Sequence, residues 1–316
     1  MNNKGIFFTI SAIALIIVMI ITYGSYSDYT ETEKMNALES RIDTVNFFIK
    51  DVEKDLDKGA FIAGFRTVLS FNEYITTNGS FLDNVEERFK ESFINGTIHN
   101  QPLTLMYNST FTDWGQRISQ QAKRVGILFN FTLNDVKLTQ SSPWAIDINL
   151  NLSLYIRDSS NISSWKRDRL LTTRINILGF EDPLYVINSK GKITNLIERS
   201  NTSQFVVNNN PDHLIYYANN SLYTTRNGSP SFLMRFEGNL GNSSNGIESL
   251  VNIEELQNQG LVIEDRSIVD YIYFGTATTT NERINQTPTW FKLDTDHIDF
   301  YDVENITCLP AQCTMP

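Results

Sequence analysis

Residues 145–157 read AIDINLNLSLYIR, with an apolar side chain at every second position from Ile146 to Ile156. This alternation predicts a β-strand with one buried face and one solvated face. Residues 127–138 and 169–178 show the same period of two, and short polar loops separate the three segments. Because short loops connect neighbouring antiparallel strands, the three segments predict an antiparallel sheet.

Three helical patterns precede this sheet, at residues 60–74, 81–93 and 112–125. Asp113 is the candidate N-cap of the third, since a carboxylate at that position accepts the unpaired N–H groups of the first turn. A helical layer packed on one face of an antiparallel sheet gives an α+β fold. We expect this α+β head to extend over residues 59–180.

The stretch before the head, residues 27–58, predicts an amphipathic stalk helix. Its apolar residues recur at alternating steps of three and four, as in a heptad repeat: Met35, Leu38, Ile42, Val45, Ile49, Val52 and Leu56. Such a stripe either coils with copies of the chain or packs against the chain's own head. Phe47 and Phe48 widen it beyond a two-position seam, which favours packing against the head.

Residues 1–26 predict a leader and transmembrane helix. From Ile6 to Ile21 the chain has no charged residue, and this run lies in length between a secretory signal core and a full membrane span. Lys4 precedes the run and acidic residues follow it, so the positive-inside rule places the N-terminus in the cytoplasm and the bulk outside the cell. We expect residues 6–23 to contact lipid in a single-pass cell-membrane protein. Cleavage as a secretory signal, at the small residues of 25–27, is the alternative.

Lys4 and Gly5, directly before the apolar run, resemble the class III signal peptide of archaeal type IV pilin-like proteins. The resemblance implies cleavage between Gly5 and Ile6, with the apolar helix retained as a membrane anchor or filament core. It also implies self-association or contact with other pilin-like subunits. One position differs, because Ile10 stands at the fifth mature position, where many pilins have a glutamate. The absence of this glutamate argues against filament assembly more strongly than against membrane anchorage.

The chain is rich in N-x-S/T triplets, which are acceptors for N-glycosylation in exported proteins. It has twelve of them, whereas random placement of its Asn, Ser and Thr residues gives about six. Asn227 and Asn285 are poorer acceptors because proline follows the hydroxyl residue. We predict glycosylation of the other ten, with chance occurrence as the alternative: Asn78, Asn95, Asn108, Asn130, Asn151, Asn161, Asn201, Asn219, Asn242 and Asn305.

Residues 181–316 predict a second, β-rich part. Strands are expected at 184–187 and 192–196 around a hairpin turn, and at 232–236 and 267–274, with a short helix at 247–257. The segments 246–261 and 267–274 also resemble stretches of uncharacterised archaeal surface-anchored proteins. This resemblance implies a location at the cell surface and indicates no particular activity. Cys308 and Cys313 predict one disulfide outside the cell.

The composition restricts the function. Acidic residues outnumber basic ones by 36 to 26, for a net charge of −10, which disfavours nucleic-acid binding. Three histidines, two cysteines and the lack of a nucleophile, phosphate-loop or zinc motif predict no enzyme, no metal and no cofactor. An enzyme would need distant groups such as His213, His297 and carboxylates to converge.

The acidic stretch 294–302 has the oxygen ligands that calcium prefers, but its alternation predicts a strand with a solvated acidic face. We therefore expect a membrane-anchored, extracytoplasmic glycoprotein with a pilin-like structural or adhesive role. An anchored ligand-binding or sensor domain, with calcium as a candidate ligand, is the alternative.

Overall fold

The computed structural model of the chain describes residues 3–308 and confirms the α+β class. The helices are α1 (Asn3–Asn78), α2 (Val85–Asn95), α3 (Phe111–Arg124), α4 (Pro183–Asn188), α5 (Asp212–Asn219), α6 (Phe232–Phe236), α7 (Ile253–Asn258), α8 (Asp270–Tyr273) and α9 (Thr295–Phe300). The strands are β1 (Thr97–Ile98), β2 (Gln101–Pro102), β3 (Ile127–Ser142), β4 (Ala145–Asp158), β5 (Ser164–Asn176), β6 (Tyr223–Thr225), β7 (Ile247–Ser249), β8 (Asn281–Ile284), β9 (Lys292–Asp294) and β10 (Thr307–Cys308). They form sheets in the orders β1–β2, β3–β4–β5, β6–β7 and β10–β8–β9.

The chain divides into two compact units. The first comprises the residues up to 56 together with 116–132 and 153–168. The second comprises residues 57–115, 133–152 and those from 169 onward. Helix α1 contributes residues to both units, so the predicted stalk and the predicted first head helix are a single helix.

Helix α1 runs for 76 residues without a break. The sequence 23–25, which includes Gly24, does not interrupt it. Within the first unit, its stripe is buried at Val45 and Val52 but exposed at Met35 and Leu38. The amphipathic part of α1 therefore packs against its own chain from about Val45 onward. Phe47, which the sequence predicts to widen the buried stripe, is 64% exposed and does not take part in this packing.

Arg41 fixes α1 to the strand ends of the first unit. Its guanidinium pairs with the carboxylate of Asp158 and donates to the backbone carbonyls of Val125 and Gly126. Burial alone would raise the pKa of Asp158, but the hydrogen bonds from Arg41 and from the Ser160 N–H lower it below the usual value. Gly126 has a φ of 67°, and a Cβ there would lie 2.5 Å from the Arg41 guanidinium. Only glycine combines this backbone conformation with such a close approach.

The sheet β3–β4–β5 confirms the alternation that predicted it. Every second residue of β4 from Ile146 to Ile156 is buried. Two residues connect β3 to β4, which requires an antiparallel pair. The buried positions of β3 shift by one residue between Phe129 and Val136, the change of phase that a β-bulge produces.

The N-terminus of α3 differs from the prediction in one residue. Asp113 is not the N-cap. Thr110 Oγ1 accepts from the Asp113 N–H at 3.0 Å, and Asp113 Oδ2 accepts from the Thr110 N–H at 3.0 Å. This reciprocal pair is a capping box with Thr110 as the cap and Asp113 as its partner in the first turn.

The five strands predicted in the C-terminal part are wrong. Residues 184–187 lie within α4, residues 232–236 form α6, and residues 267–274 and 294–302 contain α8 and α9. Residues 192–196 form no strand beyond an isolated bridge from Leu196 to Glu181, and residues 247–249 of the predicted helix form β7. Apolar runs of four to six residues are too short for periodicity to separate helix from strand. The start of α4 does have a helix signal that the hairpin prediction overlooked. Asp182 caps the helix by accepting from the Leu184 N–H at 2.8 Å, and Pro183 occupies the first helical position.

Gly246, just before β7, provides a test of the backbone packing around that strand. A Cβ at this position would lie 2.2 Å and 2.3 Å from the carbonyl oxygens of Ser229 and Arg226. Because backbone atoms cannot move aside as a side chain can, we expect Gly246→Ala to lower the free energy of unfolding by about 2–3 kcal/mol. At Gly228 the nearest atom would be 3.7 Å away. Gly228→Ala is the control, and equal melting temperatures for the two variants in detergent would contradict the packing described.

Candidate functional site

The apolar segment Phe7–Ser25 of α1 is exposed along its whole length. Its 19 residues have a mean hydropathy of 2.3, and none of them is buried. At 1.5 Å per residue this helix is about 28 Å long, close to the ~30 Å hydrocarbon core of a bilayer. Its length and composition suffice to cross a membrane, and an N-terminal signal sequence meets the same criterion.

The residues of the predicted processing site begin this helix. Helix α1 starts at Asn3, so Lys4, Gly5 and Ile6 have helical backbone. Ile10, at the position where many pilins have glutamate, is exposed. Cleavage after Gly5 stays a prediction.

The predicted glycosylation acceptors lie on the protein surface. Nine of the ten are exposed, and Asn151 is half-buried. Asn130 is on the solvated side of β3, as its alternation predicted, and Asn151 Oδ1 accepts from Asn134 Nδ2 at 3.4 Å. Surface position is the geometry that N-glycosylation requires.

A buried group of ionisable side chains in the second unit centres on His297. Its Nδ1 lies 2.7 Å from Asp294 Oδ1, and its Nε2 lies 3.3 Å from both Glu248 Oε2 and the Tyr271 hydroxyl. His297 and two carboxylates therefore do converge. His213 does not join them, because it is exposed and lies 3.2 Å from the backbone carbonyl of Gln204.

The charges of this group are set by burial and by hydrogen bonds. Burial raises the pKa of Glu248, against the opposing effects of His297 and the Ser229 hydroxyl. Burial would also raise the pKa of Asp294, but its hydrogen bond with His297 lowers it below the usual value. The Ser229 hydroxyl donates to Glu248 and not to His297. Ser229 is thus placed to satisfy a buried carboxylate, in contrast to a nucleophile that donates to its histidine base.

A second buried group surrounds Arg235, whose side chain is fully buried. One guanidinium nitrogen lies 2.5 Å from Asp182 Oδ2 and 2.9 Å from Asp270 Oδ2, and another donates to the Ile247 carbonyl. Burial raises the pKa of Asp270, although Arg235 opposes the increase. The Ser249 N–H and hydroxyl also donate to Asp270, at 3.0 and 2.9 Å. Sequence reasoning did not identify this group.

The acidic stretch 294–302 does not converge on a common point. Asp294 is turned inward to His297, whereas Asp296, Asp299 and Asp302 are exposed. Within residues 3–308, no group of three or more His, Cys, Asp or Glu side chains is arranged to hold a metal ion. Cys308 lies in β10, and Cys313 lies outside the described residues, so their disulfide stays a prediction.

Comparison of the chain with protein-family models, with curated proteins and with solved structures finds no match.

Replacing Arg235 tests the buried group around it. Arg235→Met keeps most of the volume but leaves two carboxylates buried without their counter-ion. We expect a loss of about 3–5 kcal/mol in the free energy of unfolding. The triple variant R235M/D182N/D270N should recover part of that loss because it removes the unpaired charges. Arg167→Ala breaks an exposed pair with Glu53 and should cost at most ~1 kcal/mol. Urea unfolding in detergent measures all three, and a triple variant less stable than R235M would contradict the assignment.

Glu248 predicts a pH dependence of stability. Since its folded pKa is above the unfolded value of 4.5, the native state binds the extra proton between these two pKa values. Its contribution to stability is therefore complete below pH 4.5 and is lost as the pH rises through the folded pKa. Glu248→Gln removes this loss. The melting temperature of the wild type should accordingly decrease relative to that of E248Q from about pH 4.5 upward. Glu254→Gln, on an exposed side chain, controls for the change in net charge, and parallel curves for wild type and E248Q would refute the prediction.

Proposed function

We propose that the chain is a membrane-anchored, extracytoplasmic surface glycoprotein with a non-enzymatic, pilin-like structural or adhesive role. The observation that carries this proposal is the uncovered apolar segment Phe7–Ser25, which continues as one helix into a part that packs on its own chain. A secretory signal is cut away from the folded protein, whereas here one helix runs from the apolar segment into a folded unit, as in a segment that is retained. The continuous helix therefore favours retention over removal.

Charge and surface chemistry support the same proposal. Lys4 before the apolar segment and the acidic residues after it favour an N-terminus in the cytoplasm. The nine exposed acceptors favour an environment in which asparagine is glycosylated. The pilin-like part of the proposal depends on Lys4 and Gly5 at the start of the apolar segment, and it includes contact with other copies or related subunits.

A free-ligand sensor is the second candidate function. Its support is an asparagine-lined cleft of about 200 Å³ in the second unit. The cleft is smaller than the ~300–1,000 Å³ typical of small-molecule sites, so the structural role is the stronger candidate.

Mass spectrometry of the native protein from membrane and sheared-surface fractions tests the proposal. We expect an N-terminus at Ile6, sugar on several exposed acceptors, and recovery from the membrane fraction. Recovery from the sheared fraction as well would favour a filament. A terminus at Met1 would leave a plain anchor, and a terminus near Asp28 would mean a secreted protein and refute the anchor.

Two matched substitutions identify the peptidase. Gly5→Leu should block cleavage before Ile6, because that cut follows a small residue in the pilin-like class. Ser25→Leu alters the small residues that a secretory peptidase needs and should leave the terminus unchanged. The reverse result, with processing lost only in Ser25→Leu, would contradict pilin-like processing.

A further inference from the structure

The cleft in the second unit has an apolar floor and an amide-rich rim. It opens where the end of α5, the start of α7 and residues 193–195 meet. We call its three apolar lining residues the floor, because they are buried or half-buried: Tyr185, Ile193 and Leu256. Four asparagines line the rim, and Glu255 is the one charged side chain in the lining: Asn195, Asn219, Asn220 and Asn252.

Hydrogen bonds within the chain hold the rim in place without help from a ligand. Asn252 Oδ1 accepts from the Glu255 N–H at 3.2 Å, while its Nδ2 donates to the Asn219 carbonyl at 2.8 Å. Asn195 Nδ2 donates to the Ser221 carbonyl at 3.1 Å and to the Tyr223 hydroxyl at 2.9 Å. A rim fixed in this way loses little conformational freedom when it binds a ligand.

One rim residue is itself a predicted glycosylation acceptor. Asn219 is exposed, lies at the end of α5 and begins the triplet Asn219-Asn220-Ser221. A sugar attached to its Nδ2 would start at the mouth of the cleft. We infer that the cleft is the docking site for the first sugar residue of an N-linked glycan on Asn219. This inference rests on the proposed function, which places the chain where asparagine is glycosylated.

The lining matches the chemistry of a neutral sugar. Asn195 Nδ2 already donates both of its hydrogens within the chain, so Asn195 offers a sugar hydroxyl only its Oδ1 as an acceptor. Asn252 Nδ2 keeps one hydrogen to donate, and the Glu255 carboxylate can accept a further hydroxyl hydrogen. The apolar floor can pack against the C–H face of a pyranose ring. A cleft of about 200 Å³ holds the volume of about seven water molecules at ~30 Å³ each, room for roughly one sugar ring. Because the charged lining residue is negative, an acidic sugar is disfavoured.

Because the sugar is covalently attached beside the cleft, weak contacts are enough to hold it there. Glycosylation joins Asn219 Nδ2 to the anomeric carbon of a phosphate-activated glycan; the bond from that carbon to the phosphate oxygen breaks, and the amide gives up one proton. The tethered sugar then meets the cleft at an effective concentration of about millimolar. Ser221, the hydroxyl residue of the triplet, is buried at 9% exposure and has a φ of 44°. We therefore expect transfer to Asn219 to take place before this loop folds, with the same internal hydrogen bonds then fixing the rim around the attached sugar.

Hydrogen–deuterium exchange of the full-length glycoprotein from its own cells tests the docking. In Asn219→Gln we expect amide exchange at residues 193–195 and 252–256 to be about threefold faster than in the wild type, because a bound group protects local backbone. Asn305→Gln removes a different exposed acceptor and should leave these amides unchanged. Wild type and N219Q made without glycosylation should exchange equally, which separates loss of the sugar from misfolding.

Several outcomes would overturn the inference. If other acceptors hold sugar and Asn219 holds none, or if N219Q and N305Q exchange like the wild type, the docking fails while the proposed function stands. Protection that returns in unglycosylated protein on addition of a free monosaccharide, equally in wild type and N219Q, would make the cleft a free-ligand site. Sugar on none of the ten acceptors would refute the docking together with the glycoprotein part of the proposed function.

Discussion

The buried guanidinium of Arg235 is the constraint on which the second unit depends. A charged side chain with no solvent exposure is several kcal/mol too costly to bury unless its partners are in place. The partners are Asp182 at the cap of α4, Asp270 in α8 and the Ile247 carbonyl in β7. These elements have only three to six residues each, too short to be stable in isolation. They must therefore form together, and Arg235 in α6 is what joins them.

Strand β7 connects the two buried polar groups. Its three residues are all buried, and successive side chains of a strand point to opposite faces. Glu248 faces His297 and the Tyr301 hydroxyl, whereas Ser249 faces Asp270 and the Tyr185 hydroxyl. A three-residue strand thus separates a carboxylate–histidine group from a carboxylate–arginine group. Hydrogen bonds within the protein hold the carboxylates of both groups, whereas Arg235 Nε is buried and has no hydrogen-bond partner among the described residues.

The sequence predicts the long elements well and the short ones poorly. A periodic stretch of eleven or more residues was long enough to predict β4 and most of α1, because many apolar side chains then indicate the same buried face. In α6, by contrast, FLMRF is five residues long, and nothing nearby shows that Arg235 is buried. Its carboxylate partners lie 53 and 35 residues away in the chain. Glu248 is likewise 49 residues from His297. Contacts between residues so far apart in the chain are set by tertiary packing, which local sequence patterns do not indicate. The cleft could not be predicted from the sequence for the same reason, because its rim asparagines come from three separate segments.

The distribution of acceptors along the chain bears on how an anchored protein of this kind would work. A glycan needs water, whereas an anchor or a subunit contact needs an apolar surface free of bulky sugar. All ten predicted acceptors lie at or beyond Asn78, the last residue of α1. Asn36 and Asn46, on the amphipathic part of α1, are followed by Ala-Leu and Phe-Phe and cannot be acceptors. The exposed Met35 and Leu38 therefore stay free of sugar together with Phe7–Ser25. Along the chain, the exposed apolar residues of Phe7–Ser25 together with Met35 and Leu38 therefore precede every predicted acceptor, which leaves this part of α1 available for membrane anchorage or subunit contact.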